Sequence, residues 1–317
     1  MPLQLRVHSI RKAAPRVVEI DLRAADGGAL PAFTAGAHID LVLGNGIERS
    51  YSLLNDPREA HRYVTGVLRE TDSKGGSVWL HDNLKPGDLL TSSEPINHFP
   101  LNEAGGHHIL IAGGIGITPL LSMAHRLNAI SADYRLHYCA RTRDEAAFVA
   151  EAEALAGSKL TMHCSGGDMA KRLDVGTLLK QRPAAAHVYV CGPVDLVRAA
   201  REATSDWPKG SVHYELFHGD EAATAPRSTD QAFDVVLQKS GRTIQIPPDK
   251  KILEVLKAEG YKIKTLCTDG VCGTCKVKLV SGLADHRDEV LTDEEREKFI
   301  QVCVSRAMPG ETLVLDL

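Results

Sequence analysis

The chain has 317 residues, 43% hydrophobic and 25% charged, with a formal net charge of −4. That is the balance of an ordinary globular protein long enough for two or three domains, and it gives no electrostatic reason to expect a nucleic-acid partner. The opening Met1-Pro2-Leu3-Gln4-Leu5 alternates like a strand, and the longest apolar run, from Ile109 to Leu121, is short and glycine-broken; neither a signal peptide nor a membrane span is expected, and a cytoplasmic location is.

Residues 1 to about 100 hold short β-type runs, Leu5–Ser9, Arg16–Leu22, His38–Leu43, Tyr63–Arg69 and Asp88–Thr91, separated by Gly, Pro and Asp turns. This is the pattern of a small antiparallel barrel, with one helix candidate from Ser77 to Leu84. Arg49-Ser50-Tyr51-Ser52-Leu53 and Lys74-Gly75-Gly76-Ser77 combine a guanidinium suited to phosphate, a flat ring and a glycine turn that opens the helix, the ingredients of an anion site. Each piece also has a plain structural reading, Tyr51 as an outward strand residue and Gly75-Gly76 as a turn.

From His107 to about Phe217 strands and helices alternate: Ile109–Ala112 then Pro119–Ile130, Arg135–Cys139 then Ala146–Leu155, Val188–Val190 then Val194–Ala203. Such alternation predicts a parallel sheet covered by helices. The first strand runs into Gly113-Gly114-Ile115-Gly116-Ile117-Thr118-Pro119, where Thr118 and Pro119 are expected as the N-cap and first residue of a helix. Bare amides at such a start favour a pyrophosphate. Proline replaces the third glycine of the dinucleotide fingerprint, which argues against a double Rossmann fold, and an ordinary strand-to-helix turn competes with the nucleotide reading. A second turn, Cys191-Gly192-Pro193, follows Val188-Tyr189-Val190. Two glycine turns at the carboxyl edge of one sheet favour a nucleotide cleft.

Residues 218 to 230 are polar, small and aperiodic, and read as an interdomain linker. The last block has a hairpin-like start (Phe233–Gln238, Thr243–Ile246), a helix from Lys251 to Glu259 and a closing strand through Thr312–Leu317. Between them lies Cys267-Thr268-Asp269-Gly270-Val271-Cys272-Gly273-Thr274-Cys275, and a lone Cys303 follows in Val302-Cys303-Val304. Four and then two residues between the first three cysteines is the ligand spacing of a plant-type 2Fe-2S ferredoxin. A zinc ribbon pairs two short knuckles, whereas here three ligands share one loop and the fourth arrives alone. The remaining Cys139, Cys164 and Cys191 are scattered, as expected of reduced thiols.

Taken in order, Arg49-Ser50-Tyr51-Ser52-Leu53, Gly75-Gly76-Ser77, the Gly113–Pro119 turn, Cys191-Gly192-Pro193 and the cysteine loop resemble the phthalate dioxygenase reductase family, which includes vanillate O-demethylase reductases. The resemblance covers essentially the whole chain, and Asp285-His286-Arg287-Asp288 with Cys303-Val304-Ser305-Arg306-Ala307 is similar to that family's ferredoxin domain. It implies a multidomain fold: an antiparallel β-barrel flavin domain (1–102), an α/β parallel-sheet nucleotide domain of ferredoxin reductase type (103–222), a linker (223–232) and a C-terminal α+β, β-grasp ferredoxin domain (233–317).

By the same resemblance Arg49, Ser50, Tyr51 and Ser52 line an FMN, with the Ser52 hydroxyl near its reactive edge. Gly66, Val67 and Leu68 would pass along its ring, and Lys74, Gly75, Gly76 and Ser77 would hold its phosphate; Leu68 stands where a lysine is often found in the family. Thr118 would reach the flavin from the nucleotide side, and Glu215 and Phe217 belong to the segment expected to close over it. Gly114, Gly116, Pro119, Cys191, Gly192 and Pro193 would receive NADH. Ser52, Thr118, Cys191 and Glu215 are the implied catalytic residues, and Cys267, Cys272, Cys275 and Cys303 the implied ligands of the 2Fe-2S cluster.

The implied activity is that of an NADH-dependent reductase, because NADH gives two electrons together, the cluster accepts one, and a flavin converts between them. The implied partner is a terminal Rieske non-haem iron oxygenase acting on an aromatic acid or similar compound, and the reductase is expected as a monomer. One alternative is an FAD-dependent reductase with a fused ferredoxin, since the Arg49–Ser52 strand and the Gly75-Gly76-Ser77 turn would serve either flavin's phosphate. Another is a redox-sensing or scaffold protein without turnover. Arg141-Thr142-Arg143, after the second strand, could recognise a 2′-phosphate; the resemblance points instead to NADH, with these arginines on the adenosine side.

Overall fold

The computed structural model describes residues 2–71, 73, 75–217, 219, 224–225 and 227–317, so Lys74 and parts of the expected linker lie outside the described residues. The chain divides into two compact units, Met1–Glu215 and Leu216–Leu317.

The first unit contains two sheets. Strands β1 (Leu3–Ala14), β2 (Val17–Ala24), β3 (His38–Val42), β4 (Glu48–Ser52), β5 (Tyr63–Leu68) and β6 (Leu89–Ser92), with helix α1 (Gly76–Asn83) before β6, make an antiparallel sheet in the order β4-β3-β6-β1-β2-β5. An isolated bridge from Leu53, just past β4, to Thr65 in β5 joins the outer strands and rounds the sheet into a barrel. Strand alternation drives this: Leu5 and Val7 are buried while Gln4, Arg6 and His8 face outward. Leu5, Ile20, Leu22, Ile39 and Leu41 are 0% exposed, and each such side chain stabilises the fold by about 1.5–3 kcal/mol relative to exposure.

The second sheet is parallel and built from β7 (His107–Gly113), α2 (Ile117–Ala129), β8 (Tyr134–Ala140), α3 (Val149–Ala156), β9 (Leu160–Cys164), α4 (Val175–Lys180), β10 (Ala186–Cys191), α5 (Val194–Ala203) and β11 (Val212–Glu215). Its order is β11-β10-β7-β8-β9. The chain therefore reverses its direction of winding between β7 and β10, and a crevice opens at the carboxyl ends of those two strands. Leu110, Ile111, Val188, Tyr189 and Val190 are all 0% exposed, as near-continuous apolar strands covered on both faces should be.

Two helices begin elsewhere than the sequence predicts. A 3-10 turn at Gly114–Gly116 runs straight into α2, so Thr118 lies inside the helix and its Oγ1 donates to the Ile115 carbonyl at 3.0 Å instead of capping. Pro119 still falls in the first turn, where a missing N–H breaks no helical bond. Helix α3 starts at Val149 rather than Ala146 because Phe148 takes a left-handed conformation, φ 58°, which a continuous right-handed helix cannot contain.

The second unit comprises β12 (Phe233–Leu237), β13 (Thr243–Ile246), α6 (Ile252–Ala258), β14 (Lys276–Ser281), β15 (Ala284–Asp285), α7 (Asp293–Arg296), β16 (Phe299–Gln301), β17 (Arg306–Ala307) and β18 (Leu313–Leu315). Five strands form a mixed sheet, β13-β12-β18-β14-β16, with β15 and β17 paired separately. Ile252, Leu253 and Leu256 of α6 pack with Val235, Leu237, Val277, Leu313 and Leu315, an α+β core.

Residues just before β12 are fastened to this unit by buried charge. The Arg287 and Asp230 side chains are 3% and 5% exposed; Arg287 Nη1 donates to Asp230 Oδ2 at 3.0 Å, and Arg306 Nη2 donates to the Gln231 carbonyl at 3.1 Å. Buried charges persist only when paired in this way. Among the described residues no helix is long and apolar enough to cross a membrane.

Candidate functional site

The crevice in the first unit lies where β7 and β10 end side by side, Cys191 opposite Ala112. The two turns that follow touch backbone to backbone. A Cβ on Gly116 would lie 2.2 Å from the Cys191 carbonyl oxygen, and one on Gly192 2.8 Å from Gly113 Cα; only glycine permits that approach. Gly114, at φ 56°, has nothing within 4 Å of its missing Cβ, and no side chain caps α2. The turn thus presents backbone amides at a helix start, a donor set that fits the pyrophosphate of a dinucleotide.

Cys191 is fully buried and pairs across the ladder with Glu215, the last residue of β11. Burial and the neighbouring Glu215 push its thiol well up, so it stays neutral. Burial pushes the Glu215 carboxyl up to about 8, partly opposed by a hydrogen bond from Ser52, and Glu215 Oε2 is sealed from solvent without a hydrogen-bond partner. Glu215 therefore holds a proton at neutral pH. Two residues earlier on the same face, His213 stacks on Tyr189 with ring centroids 4.4 Å apart and planes 5° from parallel, which steadies the strand end that carries Glu215.

Thr118, on α2, faces β5 of the barrel. Its Cγ2 would lie 3.0 Å from a Cβ on Gly66 of β5, and the Phe148 ring would lie at 2.7 Å. The fold thus gathers Ser52, Cys191 and Glu215 from the barrel and the parallel sheet, although they are spread over more than half of the chain, and sets Thr118 against Gly66. Phe148 is a residue that the sequence reading missed. Its ring contact with Gly66 and its left-handed backbone are both tertiary, and nothing in the local sequence signals them.

On the barrel side, a Cβ on Gly76 would lie 2.9 Å from Arg49 Cγ and 3.3 Å from its Nε, so Arg49 lies across the start of α1. Gly75 is left-handed at φ 92°, and no side chain caps this helix. An arginine over an uncapped helix start is a cradle that fits a flavin phosphate, and the orphaned Glu215 Oε2 supplies a polar atom lacking a partner. The Tyr51 phenol is pushed up by burial.

Other expected flavin residues are turned elsewhere. Ser50 Oγ donates to Asp40 Oδ1 at 2.7 Å, Val67 is packed in the barrel core, and the Ser77 hydroxyl accepts from Glu70 N at 3.1 Å while donating to Ser73 Oγ at 3.1 Å. These residues can offer backbone groups. Leu68 is partly exposed. Phe217 belongs to the second unit.

In that unit the four cysteines gather as two pairs. Cys267 hydrogen-bonds Cys272, and Cys275 hydrogen-bonds Cys303, while among the described residues no three His, Cys, Asp or Glu side chains converge as ligands for one ion. Two thiols for each of two irons is the donor arrangement that a binuclear cluster needs, and a single zinc ion needs another. Gly270 and Gly273, at φ 77° and 76°, give the loop its curl. Asp269 N donates to Cys267 Sγ at 3.3 Å, an amide–sulfur bond of the kind that tunes cluster potential. A hydrogen bond from Cys267 holds the Cys272 thiol down, which favours the thiolate, the form that binds iron.

Comparison with known proteins agrees with this architecture. The 2Fe-2S iron-sulfur cluster binding domain family matches residues 235–308, and the oxidoreductase NAD-binding domain family matches residues 110–202. The chain is 45% identical over 319 residues to the phenoxybenzoate dioxygenase subunit beta of Ectopseudomonas oleovorans, covering 100% of this chain and 98% of that one. It is 41% identical to the phthalate dioxygenase reductase of Burkholderia cepacia, covering 99% and 97% of the two chains. The chain belongs to the phthalate dioxygenase reductase family. A solved phthalate dioxygenase reductase superimposes with a TM-score of 0.77 at 40% identity, covering 100% of this chain and 98% of that one. As a member of this family the chain is an oxidoreductase with NADH, FMN and a 2Fe-2S cluster as its cofactors, and it delivers electrons to an oxygenase.

Proposed function

We propose that this reductase serves a Rieske non-haem iron oxygenase of the aromatic-acid dioxygenase or O-demethylase type, and that it works as a cytoplasmic monomer. The observation that carries the reading is the convergence of Ser52, Cys191 and Glu215 at the point where the parallel sheet reverses its winding. We assign residues 1–102 to flavin binding, 103–222 to NADH binding and 233–317 to the cluster, joined by 223–232.

Within this scheme Arg49 with Gly75, Gly76 and Ser77 holds the flavin phosphate, Tyr51 and the backbone of Gly66, Val67 and Leu68 border its ring, and Phe217 belongs to the segment that closes over it. Gly114, Gly116, Pro119, Gly192 and Pro193 receive the dinucleotide. When bound, the flavin supplies the conversion of a two-electron hydride into single electrons that the cluster can carry. Ser52 and Glu215 form a hydrogen-bonded pair whose proton stays on the Glu215 carboxyl near neutrality, an uncharged donor beside the flavin. Cys191 and Thr118 fill the crevice wall and exclude water. Cys267, Cys272, Cys275 and Cys303 hold the cluster.

Ser52→Ala tests the assignment. NADH-driven bleaching of the flavin under anaerobic conditions should slow at least about tenfold, as expected when a positioned hydrogen bond is lost at a reacting centre, with flavin and iron content retained. Unchanged bleaching would remove Ser52, and with it the proposed pair, from the chemistry.

A further inference from the structure

Gln301 ends β16 beside the cysteine loop, within the unit that holds all four cysteines. It pairs across the ladder with Lys276, the residue after Cys275. Its carbonyl accepts from Val304 N at 3.3 Å and from Ser305 N at 3.0 Å, which fastens the turn that carries Cys303. The backbone under this side chain is therefore fixed to both segments that supply cysteines. Gln301 is 0% exposed, and both ends of its amide reach the loop. Cys275 Sγ donates to Oε1 at 2.9 Å, and Nε2 lies 3.8 Å from where a Cβ on Gly273 would stand. Nε2 is sealed from solvent without a hydrogen-bond partner.

A buried amide with one end unpaired is costly, and an apolar side chain of the same size would avoid that cost. Beside iron the orphaned donor acquires a use. A cysteine binds iron as a thiolate, which has no proton to donate and can only accept. The Cys275 contact with Oε1 would then set two acceptors against each other. The terminal torsion of a glutamine is broad and roughly two-fold, and half a turn exchanges its oxygen and nitrogen at nearly the same positions. That turn brings Nε2 to Cys275 Sγ as a donor without moving any backbone.

We propose that Gln301 is a positioning residue for the cluster: with iron bound, its Nε2 donates to Cys275 Sγ and raises the reduction potential. The proposal rests on the assignment of Cys267, Cys272, Cys275 and Cys303 to the cluster. A hydrogen bond to a ligand sulfur stabilises negative charge, and the reduced cluster carries one negative charge more than the oxidised one. The step favoured is the arrival of one electron given up by the flavin, with no bond made or broken. Asp269 N already serves the Cys267–Cys272 pair in this way. Gln301 serves the Cys275–Cys303 pair, and being a side chain it can be removed by substitution.

The test uses the full-length holoprotein and an EPR-monitored redox titration of the cluster. Gln301→Met keeps the length and unbranched shape of the side chain without its donor, and Gln301→Leu removes the donor and changes the shape. Both should make the equilibrium for reducing the cluster about tenfold less favourable, a midpoint about 59 mV more negative for a one-electron couple, with iron content kept. A wild-type midpoint in Gln301→Met would show that Gln301 only fills space, and would overturn the proposal. Loss of the cluster from both variants would make Gln301 a structural residue and overturn it as well. Pulsed EPR of the reduced wild type, made by cell-free synthesis with glutamine labelled with nitrogen-15 at Nε2, reads the bond itself. A coupling to the labelled nitrogen is expected, and its absence overturns the proposal whatever the variants do. A wild type with no 2Fe-2S signal on reduction would contradict the cluster assignment, and the proposal with it.

Discussion

The cysteine loop and the crevice at the ends of β7 and β10 are both shaped by glycine, yet they are assembled at opposite ranges. Three of the four cysteines assigned to the cluster sit within nine consecutive residues, Cys267 to Cys275, and two positive-φ glycines give the turn they share its curl. The crevice takes Ser52 from one sheet and Cys191 and Glu215 from neighbouring strands of another, and its floor exists only because Gly113 and Gly116 meet Cys191 and Gly192. A site built locally stands or falls with single ligands. A site built by packing should degrade in steps, in proportion to the contact disturbed.

The largest break in that comparison is Cys272→Ser. Removing one ligand should bring cytochrome c reduction, which needs the cluster, to background, while NADH-to-ferricyanide activity drawn from the flavin stays within about twofold of wild type. Loss of both activities would mean that the crevice depends on the cluster unit. Next comes the charge buried before β12. Asp230 is pulled down to about 2, chiefly by the Arg287 hydrogen bond, and Asp230→Ala leaves Arg287 with Asp285 alone. Stability of the second unit should drop toward the lower end of the about 3–5 kcal/mol typical of a broken buried pair, read by urea unfolding followed through cluster absorbance. An undisturbed midpoint would show that the strap before β12 is not held by this pair.

Gly192→Ala addresses the crevice floor. Its Cβ would press on Gly113 Cα, and overpacking of this kind costs about 1–3 kcal/mol, so KM for NADH should rise several-fold with flavin and iron content kept. Loss of flavin along with affinity would move this turn out of the nucleotide site.

The smallest effect concerns Glu215. Its carboxyl is raised from 4.5 to about 8 in the fold, so between those values the folded chain keeps a proton that the unfolded chain has lost. The stabilisation is complete below pH 4.5, declines as pH rises, and is gone above about 8. Glu215→Gln has no proton to lose. In flavin-stripped protein its stability should fall less steeply than wild type across that window, and parallel curves would contradict the assigned protonation.

The same difference in range explains what could be read before the structure. The alternation of strands and helices between residues 107 and 217 was legible because parallel strands buried on both faces carry apolar runs, and the cysteine spacing was legible because its geometry is local. The start of α2 was misplaced: the glycine turn winds directly into the helix, so Thr118 bonds backward to Ile115 where a cap would bond forward. Phe148 was invisible because its left-handed backbone and its place against Gly66 depend on residues far away in sequence. The pairing of Asp230 with Arg287 joins residues 57 positions apart, and nothing near residue 230 announces it. The protonated state of Glu215 arises from burial beside Ser52 and Cys191, which is a product of the fold.

Anaerobic stopped-flow mixing with NADH tests the central claim most directly. The account predicts two resolved phases, bleaching of the flavin band followed by bleaching of the cluster band, with the second phase and the EPR signal of the reduced cluster both absent in Cys272→Ser while the first persists. Cluster reduction that keeps pace with NADH in a flavin-free preparation, or flavin bleaching that never proceeds to the cluster in the wild type, would contradict it.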